Sequence, residues 1–227
     1  MAKKIKYLLF DMDGLLTDSE RVTFEIWEEI FREHGYELTM DFYISIIGMV
    51  ETKIEKIISD AYPGLDAAKD VYPEWDERYE KLAPLGGVPL KTGVRELLDY
   101  CDQNGIRKSV VSSNWLHWIE TILRADGVYD RFDHVIHGGL VKHGKPDPEP
   151  FLLSMEEFGA SPEECLVLED SNSGILAGKR AGMKVICIPD LKQPSEEAEA
   201  HCDAVLPTLL DVIPWLEQFN REAERFE

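Results

Sequence analysis

The sequence predicts an α/β fold, in which a Rossmann-like parallel sheet has helices on both faces and carries an inserted small helical cap domain. Along most of the chain, short apolar runs alternate with amphipathic segments, a pattern typical of βαβ units. The segment 18–88 breaks that alternation, because it contains helical stripes but no strand-like run of matching quality. We therefore predict an α/β core domain formed by residues 1–17 and 89–227, and a helical cap domain formed by residues 18–88.

Six apolar runs predict the strands of the sheet. They lie at 5–10, 109–112, 134–138, 165–169, 184–189 and 203–206. Between them, apolar residues in 94–101 follow helical spacing and predict a helix that ends before Gly105. The segment 172–181 is predicted as a second helix, which ends before Gly182. Strands that alternate with helices in this way form parallel sheets covered on both faces.

Two helical stripes characterise the predicted cap. Each consists of apolar residues spaced three or four apart, which places them on one face of a helix. The stripes are Val22, Ile26, Trp27, Ile30 and Phe31, and Ile54, Ile57, Ile58 and Ala61.

The charge of the chain restricts its partners. With 24 Lys and Arg against 44 Asp and Glu, the 227 residues carry a formal net charge of −20. Nucleic acids and anionic membranes are bound mainly by clustered basic residues, so we expect neither as a partner. A small anionic substrate remains compatible with this charge if the site supplies its own positive group.

Cysteine use and hydropathy indicate a reducing, cytoplasmic setting. The four cysteines form no C-x-x-C pair, and no apolar run approaches the length of a membrane span. The N-terminus lacks the features of a secretory signal. We expect a cytoplasmic protein, and a monomer.

Polar residues follow four of the predicted strands, and the carboxyl ends of parallel strands meet at one rim where ligands bind. They are Asp11 and Asp13 after the first strand, Ser113 and Asn114 after the second, Lys145 in the loop after the third, and Glu169 and Asp170 after the fourth. Carboxylates and a carbonyl suit Mg²⁺, and a lysine suits a phosphate. A carboxylate nucleophile can form an aspartyl-phosphate, and a second acid can transfer the proton.

Each of these features also has a structural interpretation. Ser113 and Asn114 could cap the next helix, and Lys145 could be an exposed loop lysine. Glu169 and Asp170 could simply stabilise the N-terminus of the following helix through its dipole. All four features follow predicted strands, one after another along the chain, and this coincidence favours the functional interpretation. For the aromatic pair in 115–118, we predict packing of the following helix.

The motifs FDMDGLLTDSE, VVSSN, HGKPDPEPF and VLEDSNSGILAGKRAGM resemble the four ordered motifs of the haloacid dehalogenase superfamily. The resemblance extends from Phe10 to about Pro189 and is closest to members with a helical cap after the first motif. It implies an Mg²⁺-dependent phosphatase of small phosphate monoesters, such as a sugar phosphate, a nucleotide or phosphoglycolate. It implies the following roles: Asp11 as nucleophile, Asp13 as general acid and base, Ser113, the Asn114 amide and Lys145 with Asp11 around the phosphate, and Asp11, the Asp13 carbonyl, Glu169 and Asp170 around Mg²⁺.

Within the family, Asp13 favours cleavage of a phosphate ester over attack at carbon. The similar β-phosphoglucomutases carry a cap histidine and a cap arginine where this sequence has Thr23 and Glu51. A phosphatase is therefore favoured over a phosphomutase, which stays an alternative. A non-catalytic binding or regulatory protein on the same scaffold is the third possibility, although Asp11, Asp13 and Lys145 are all retained.

Overall fold

The computed structural model describes residues 3–225 and divides into two compact units. The first, which we call the core unit, comprises Met1–Asp18 and Pro89–Glu227, and the second, the helical unit, comprises Ser19–Val88.

The core unit is built on a six-stranded sheet in which every neighbouring pair of strands is parallel. The strands are β1 (Tyr7–Phe10), β2 (Arg107–Val111), β3 (His134–Ile136), β4 (Cys165–Glu169), β5 (Lys184–Cys187) and β6 (Ala204–Val205). Their order across the sheet is β3-β2-β1-β4-β5-β6. The predicted fold class is confirmed, and each of the six apolar runs overlaps a strand, although β2 begins at Arg107, two residues before the run at 109–112.

Consecutive buried side chains explain why the sheet is covered on both faces. Leu8, Leu9 and Phe10 of β1 are all inaccessible to solvent, although successive side chains of a strand point to opposite faces. On one face, Leu9 belongs to an apolar cluster that includes Phe151 and Ile175 from the covering helices. Because both faces are buried, these strands read as continuous apolar runs rather than as alternating patterns.

In the core unit, α-helices lie between successive strands, and the last helix follows β6. They are α5 (Val94–Asn104), α6 (Leu116–Ala125), α7 (Glu149–Phe158), α8 (Asn172–Arg180), α9 (Glu196–Glu199) and α10 (Val212–Glu224). As predicted, α5 ends at Gly105, which has a φ of +64° and leaves the helix through the left-handed conformation.

The strand order creates a crevice beside β1. The chain passes from β1 outward through β2 to β3, and then returns to place β4 on the other side of β1. Phe10 consequently pairs with Val110 on one side and with Leu168 on the other. The residues that follow β1 and β4 therefore flank the switch point of the sheet, where ligands of open α/β sheets bind.

The helical unit contains four α-helices. They are α1 (Ser19–Glu33), α2 (Met40–Ile46), α3 (Glu51–Ala61) and α4 (Tyr72–Leu82), and one turn of π-helix (Ala67–Val71) directly precedes α4. The longest described helix, α1, has 15 residues, and no helix within residues 3–225 is long and apolar enough to cross a membrane.

The two predicted stripes differ in how deeply they are buried. All five members of the α1 stripe are buried, as predicted. In the α3 stripe only Ile58 is fully buried, whereas Ala61 is exposed and Ile54 lines a cavity. The periodicity of α3 identified the helix correctly, but it could not indicate that a cavity replaces packed side chains along part of that face.

Candidate active site

Asp11 lies at the switch point of the sheet, directly after β1. Its backbone N–H donates to the Leu168 carbonyl at 3.0 Å, which continues the β1–β4 pairing by one residue. The chain then turns sharply, because the N–H groups of Leu16 and Thr17 both donate to the Met12 carbonyl. Strand and turn together hold the Asp11 side chain in place, and it is almost completely buried.

Lys145 joins three parts of the site. Its Nζ donates to the Val111 carbonyl at 2.9 Å, to Oε1 of Glu169 at 2.5 Å and to Oδ1 of Asp11. A lysine ammonium has three donors, so this arrangement uses all of them. The sequence placed Lys145 in a loop, and the structure shows that its side chain is buried there between two carboxylates.

Glu169 is held from its other side by the start of α8. Oε2 accepts a hydrogen bond from the Ser171 hydroxyl at 2.9 Å and from the Ser171 N–H at 3.2 Å. A Cβ on Gly174 would lie 1.8 Å from Oε1 of Glu169, so only glycine leaves space for this carboxylate. Sequence reasoning did not identify Gly174 as part of the site.

Asp11, Glu169 and Asp170 bring their carboxylates together. One oxygen from each lies within 4.8 Å of the others. Burial, only partly offset by Lys145, raises the pKa of Asp11 to about 8, and the charges of Glu169 and Asp13 contribute. Burial and then the charges of Glu169 and Asp11 also raise the pKa of Asp170. Burial opposes the charged form of Lys145, but the carboxylates of Asp11 and Glu169 outweigh it and raise the lysine pKa.

These observations show that the residues fit a divalent cation. One lysine cannot balance three clustered carboxylates, of which Asp11 and Glu169 are buried. Burial first, and then the neighbouring negative charges, raise the pKa of Asp11 and of Asp170. Oxygen ligands at this spacing are those that Mg²⁺ prefers. The Asp13 side chain does not belong to the group, so any contribution of Asp13 to a metal would come from its backbone carbonyl.

Asp13 and Asn114 meet at the same rim. The Asn114 side-chain Nδ2 lies 3.4 Å from Oδ2 of Asp13. The backbone N–H of Asn114, however, donates to the hydroxyl of Ser112 at 3.0 Å. The side-chain amide, and not the backbone N–H, is therefore the donor that Asn114 presents toward Asp13.

Ser113 and Lys145 line one cavity of about 240 Å³ in the core unit, together with Ser112 and Gly144. Ser113 is exposed, in contrast to the buried Ser112. The structure thus brings together a hydroxyl and the loop of the buried lysine, as expected for an anion site. Trp115, which we predicted to pack against α6, is instead 62% exposed, because it precedes the helix as its N-terminal flanking residue.

Sequence reasoning missed two further charged residues near the site. Asp190 comes shortly after β5, so the rule that located the other acids applies to it as well. A Cβ on Gly14 would lie 2.4 Å from Oδ2 of Asp170 and 3.2 Å from Oδ2 of Asp190, so both carboxylates approach the turn after β1. Lys91 forms an ion pair with Asp190, and no motif in the sequence pointed to it.

Comparison with known proteins agrees with this geometry. Residues 8–188 match the family described as haloacid dehalogenase-like hydrolase. A phosphorylated carbohydrates phosphatase of Thermotoga maritima is 32% identical over 183 residues, covering 79% of this chain and 82% of that protein. A validoxylamine A 7'-phosphate phosphatase of Streptomyces hygroscopicus is 31% identical over 209 residues, covering 91% and 95%.

Solved structures show the same relationship. The crystal structure of CbbY from Rhodobacter sphaeroides in complex with phosphate superposes with a TM-score of 0.71 at 27% identity, covering 92% of this chain and 96% of that one. The resemblance that the four motifs suggested is confirmed, and the chain belongs to the haloacid dehalogenase-like hydrolases.

Proposed function

We propose that this protein is a Mg²⁺-dependent phosphatase that hydrolyses small organic phosphate monoesters through an aspartyl-phosphate on Asp11. The observation that carries the proposal is the buried Asp11 carboxylate, held by Lys145 at the switch point of the sheet with two further carboxylates beside it. The family of the chain and its relatives named as phosphatases support a phosphatase that acts on small phosphorylated substrates.

In the first step, Asp11 attacks phosphorus and the bond to the ester oxygen breaks. Lys145 holds Oδ1 of Asp11, which orients the carboxylate and favours its ionised form against burial. Asp13 gives its proton to the departing alkoxide, so that a neutral alcohol leaves. Asn114 orients Asp13 through the side-chain contact of 3.4 Å.

In the second step, water attacks phosphorus of the aspartyl-phosphate. Asp13, now ionised, accepts a proton from that water, the bond between phosphorus and Asp11 breaks, and inorganic phosphate forms. Both residues end in their starting protonation states, so the cycle needs no co-reactant other than water.

The phosphoryl group requires positive charge and hydrogen-bond donors. Ser113 and Lys145 line one cavity. Ser113 would donate to the phosphoryl oxygens, and Lys145, whose three donors are used within the site, would supply positive charge beside them. Mg²⁺, held by Asp11, the Asp13 carbonyl, Asp170 and, directly or through water, Glu169, would neutralise charge on the phosphoryl oxygens when bound. In this arrangement Lys145 also balances one of the carboxylates.

A phosphomutase is the alternative. Such an enzyme must hold a substrate that already carries a second phosphate, which needs a cation outside the core site. Thr23 and Glu51 line one cavity of the helical unit, and no Lys, Arg or His lines it. This lining favours hydrolysis of a monophosphate over transfer between two phosphorylated positions.

The proposal is tested by measuring phosphate release from a panel of phosphate monoesters with Mg²⁺ or with chelator. We expect turnover only with Mg²⁺, and none with Asp11→Asn. Asp13→Asn should retain phosphoryl transfer from p-nitrophenyl phosphate, whose leaving group needs no proton, while losing activity toward alkyl esters. Wild-type turnover by Asp11→Asn, or full activity in excess chelator, would contradict the mechanism.

The phosphomutase alternative is decided by product analysis with β-glucose 1-phosphate and a trace of glucose 1,6-bisphosphate. We expect inorganic phosphate and negligible glucose 6-phosphate. Glucose 6-phosphate that forms faster than inorganic phosphate would identify the enzyme as a mutase.

A further inference from the structure

Asp190 is a buried acid that lies beside the three clustered carboxylates of the site without belonging to their group. It follows the end of β5, so it stands at the same rim as the other acids, and its side chain is only 5% exposed. The ligand oxygens of Asp11, Glu169 and Asp170 all lie within 4.8 Å of one another, and no oxygen of Asp190 shares that spacing. Asp190 is therefore not placed to bind the same cation directly.

Asp190 meets the group at one member, Asp170. A Cβ built on Gly14 would lie 2.4 Å from Oδ2 of Asp170 and 3.2 Å from Oδ2 of Asp190, so the two oxygens are no farther apart than the sum of these distances. Gly14 has no side chain, and this absence allows both carboxylates to approach the same point of the turn after β1. Two carboxylates at such a separation repel each other strongly when no cation lies near them.

The oxygen of Asp190 that approaches Asp170 has no hydrogen-bond donor of its own. Oδ2 of Asp190 is buried and accepts no hydrogen bond from any residue between 3 and 225. Buried polar atoms of native proteins are nearly always satisfied, so an exception requires an explanation. Because this oxygen has essentially no accessible surface, a ligand cannot reach it, and its charge acts instead on the neighbouring Asp170 carboxylate.

Lys91 lies on the other side of Asp190. Its Nζ contacts Oδ1 of Asp190 and lies 3.5 Å from Oδ1 of Asp18. One ammonium is therefore shared between two carboxylates, and this small cluster keeps a net negative charge beside Asp170.

We infer that Asp190 is a positioning residue of the metal centre, which acts through Asp170 to strengthen the binding of a divalent cation, and that Lys91 limits this effect. In the proposed phosphatase, on which this inference rests, the cation is Mg²⁺. A dication gains twice as much energy as a proton from the same negative potential, so the charge of Asp190 favours the metal over protonation of the carboxylates. Residues that contact the ligands of a metal, rather than the metal, typically change its affinity tenfold or more.

A purely structural role of the ion pair is the competing explanation. Loss of either Lys91 or Asp190 would then disturb the same contact, and both losses would weaken metal binding. The electrostatic role predicts opposite effects, because the two residues carry opposite charges. The sign of the change in affinity therefore separates the two explanations.

Mg²⁺ binding to the full-length protein without substrate, measured by isothermal titration calorimetry at pH 8 and low salt, tests this role. Asp190→Asn keeps the shape of the side chain and removes its charge, and we expect a Kd for Mg²⁺ about tenfold higher. Lys91→Met should lower the Kd severalfold, even though it destabilises the protein. Lys91→Arg keeps the charge and should leave the Kd within about twofold of the parent value. Lys91→Gln replaces Lys91→Met if the latter does not fold.

Asp203 and Lys184 provide a matched control pair at the opposite end of β5. Nζ of Lys184, the first residue of the strand, lies 2.9 Å from Oδ1 of Asp203. Asp203→Asn and Lys184→Met remove the same charges far from the rim, and each should leave the Kd for Mg²⁺ within about twofold of the parent value. Circular dichroism verifies that each variant is folded.

The inference requires a higher Kd in Asp190→Asn and a lower Kd in Lys91→Met. Weaker binding in both variants, or unchanged binding in Asp190→Asn, would overturn it and leave the pair a structural role, even if the parent protein cleaves monoesters with Mg²⁺. A parent protein that binds no Mg²⁺ would overturn both the inference and the proposed metal site. If the two shifts have opposite signs but no monoester is cleaved, the proposed function fails and the role of Asp190 stands.

Discussion

Lys145 and Glu169 form a buried ion pair in which Nζ lies 2.5 Å from Oε1, with 5% of the lysine side chain exposed and none of the glutamate. Lys145 also contacts Asp11, so one cation stands between two carboxylates. Replacing one residue of a solvent-exposed ion pair lowers stability only slightly. Here the removal of the lysine would leave two buried acids, Asp11 and Glu169, without a counter-charge.

We therefore expect Lys145→Met to abolish phosphatase activity and to destabilise the protein by about 3–5 kcal/mol in chelator. Added Mg²⁺ should restore part of this loss, because the cation binds the same carboxylates. Urea unfolding with and without Mg²⁺ measures both effects. The control is Lys56→Met, which breaks an exposed pair with Asp60 and should cost less than about 1 kcal/mol. Equal stability of the two variants would contradict the structural role of Lys145.

Stabilisation by Mg²⁺ should depend on pH. Without a cation, folding raises the pKa of Asp11 from 3.8 to about 8. Between these pH values the folded state binds a proton that the unfolded chain has released. The contribution of Asp11 therefore lowers the free energy of unfolding as the pH rises through this window. A metal ion must displace that proton below pH about 8.

The gain in melting temperature on adding Mg²⁺ should accordingly increase from pH 5 to pH 8, with an apparent affinity that rises up to about tenfold per pH unit. Thermal unfolding at fixed Mg²⁺ across this range, each point paired with a chelator sample, gives the result. Asp11→Asn should show a smaller slope. A gain that does not change with pH would show that the cation does not bind at Asp11.

Gly14 is expected to control access of Asp170 to the metal. Its φ is +79°, and an added Cβ would lie 2.4 Å from Oδ2 of Asp170. Gly14→Ala should destabilise the protein by about 1–2 kcal/mol through the backbone and should also displace the carboxylate. We expect the Mg²⁺ concentration for half-maximal activity to increase severalfold.

Gly105→Ala is the matched control for this substitution. Gly105 has a similar φ of +64°, but an added Cβ there meets no atom within 4 Å. We expect a comparable loss of stability with unchanged Mg²⁺ dependence. If both variants, or neither, need more Mg²⁺, the contact between position 14 and Asp170 does not influence the metal.

Lys91 should stabilise the junction at which the chain leaves and re-enters the core unit. Its Nζ contacts Asp190 and lies 3.5 Å from Oδ1 of Asp18, while the Asp18 N–H donates to the Pro89 carbonyl at 2.9 Å. We expect Lys91→Met to lower the free energy of unfolding by about 2–3 kcal/mol. The Asp190 side chain is only 5% exposed, so the loss of this partner leaves a nearly buried carboxylate without its ion pair.

A double-mutant cycle with Asp190→Asn isolates this interaction. Urea unfolding of Lys91→Met, Asp190→Asn and the double variant should give a coupling of more than about 1 kcal/mol. Additive effects would show that Lys91 acts through other contacts.

Much of the fold was predictable because it follows from local pattern. A strand buried on both faces, such as Cys165–Glu169, must be apolar throughout, and the helix that begins at Val94 must end where Gly105 permits a positive φ. The candidate site was predictable for a related reason. Parallel strands end at one rim, so residues that follow them, such as Asp11 and Asp170, must come together.

Other features depend on contacts between segments that are distant in sequence. Asp190 follows a strand and the same rule applies to it, but its ion pair with Lys91 joins residues 99 positions apart. Trp115 resembles a core residue in the sequence and is exposed, because it precedes α6 rather than packing beneath it.

The sequence by itself determined the α/β class, the order of the strands along the chain, and the residue types that meet at the rim. Periodicity and strand ends are local properties, and parallel pairing converts them into a common edge. Only the tertiary structure decided that Lys145 is buried between Asp11 and Glu169, that Gly174 leaves space for a carboxylate, and that the helical unit has a cavity lined by aromatic residues and by no basic residue. These properties arise from the space between elements, which no periodicity within one element encodes.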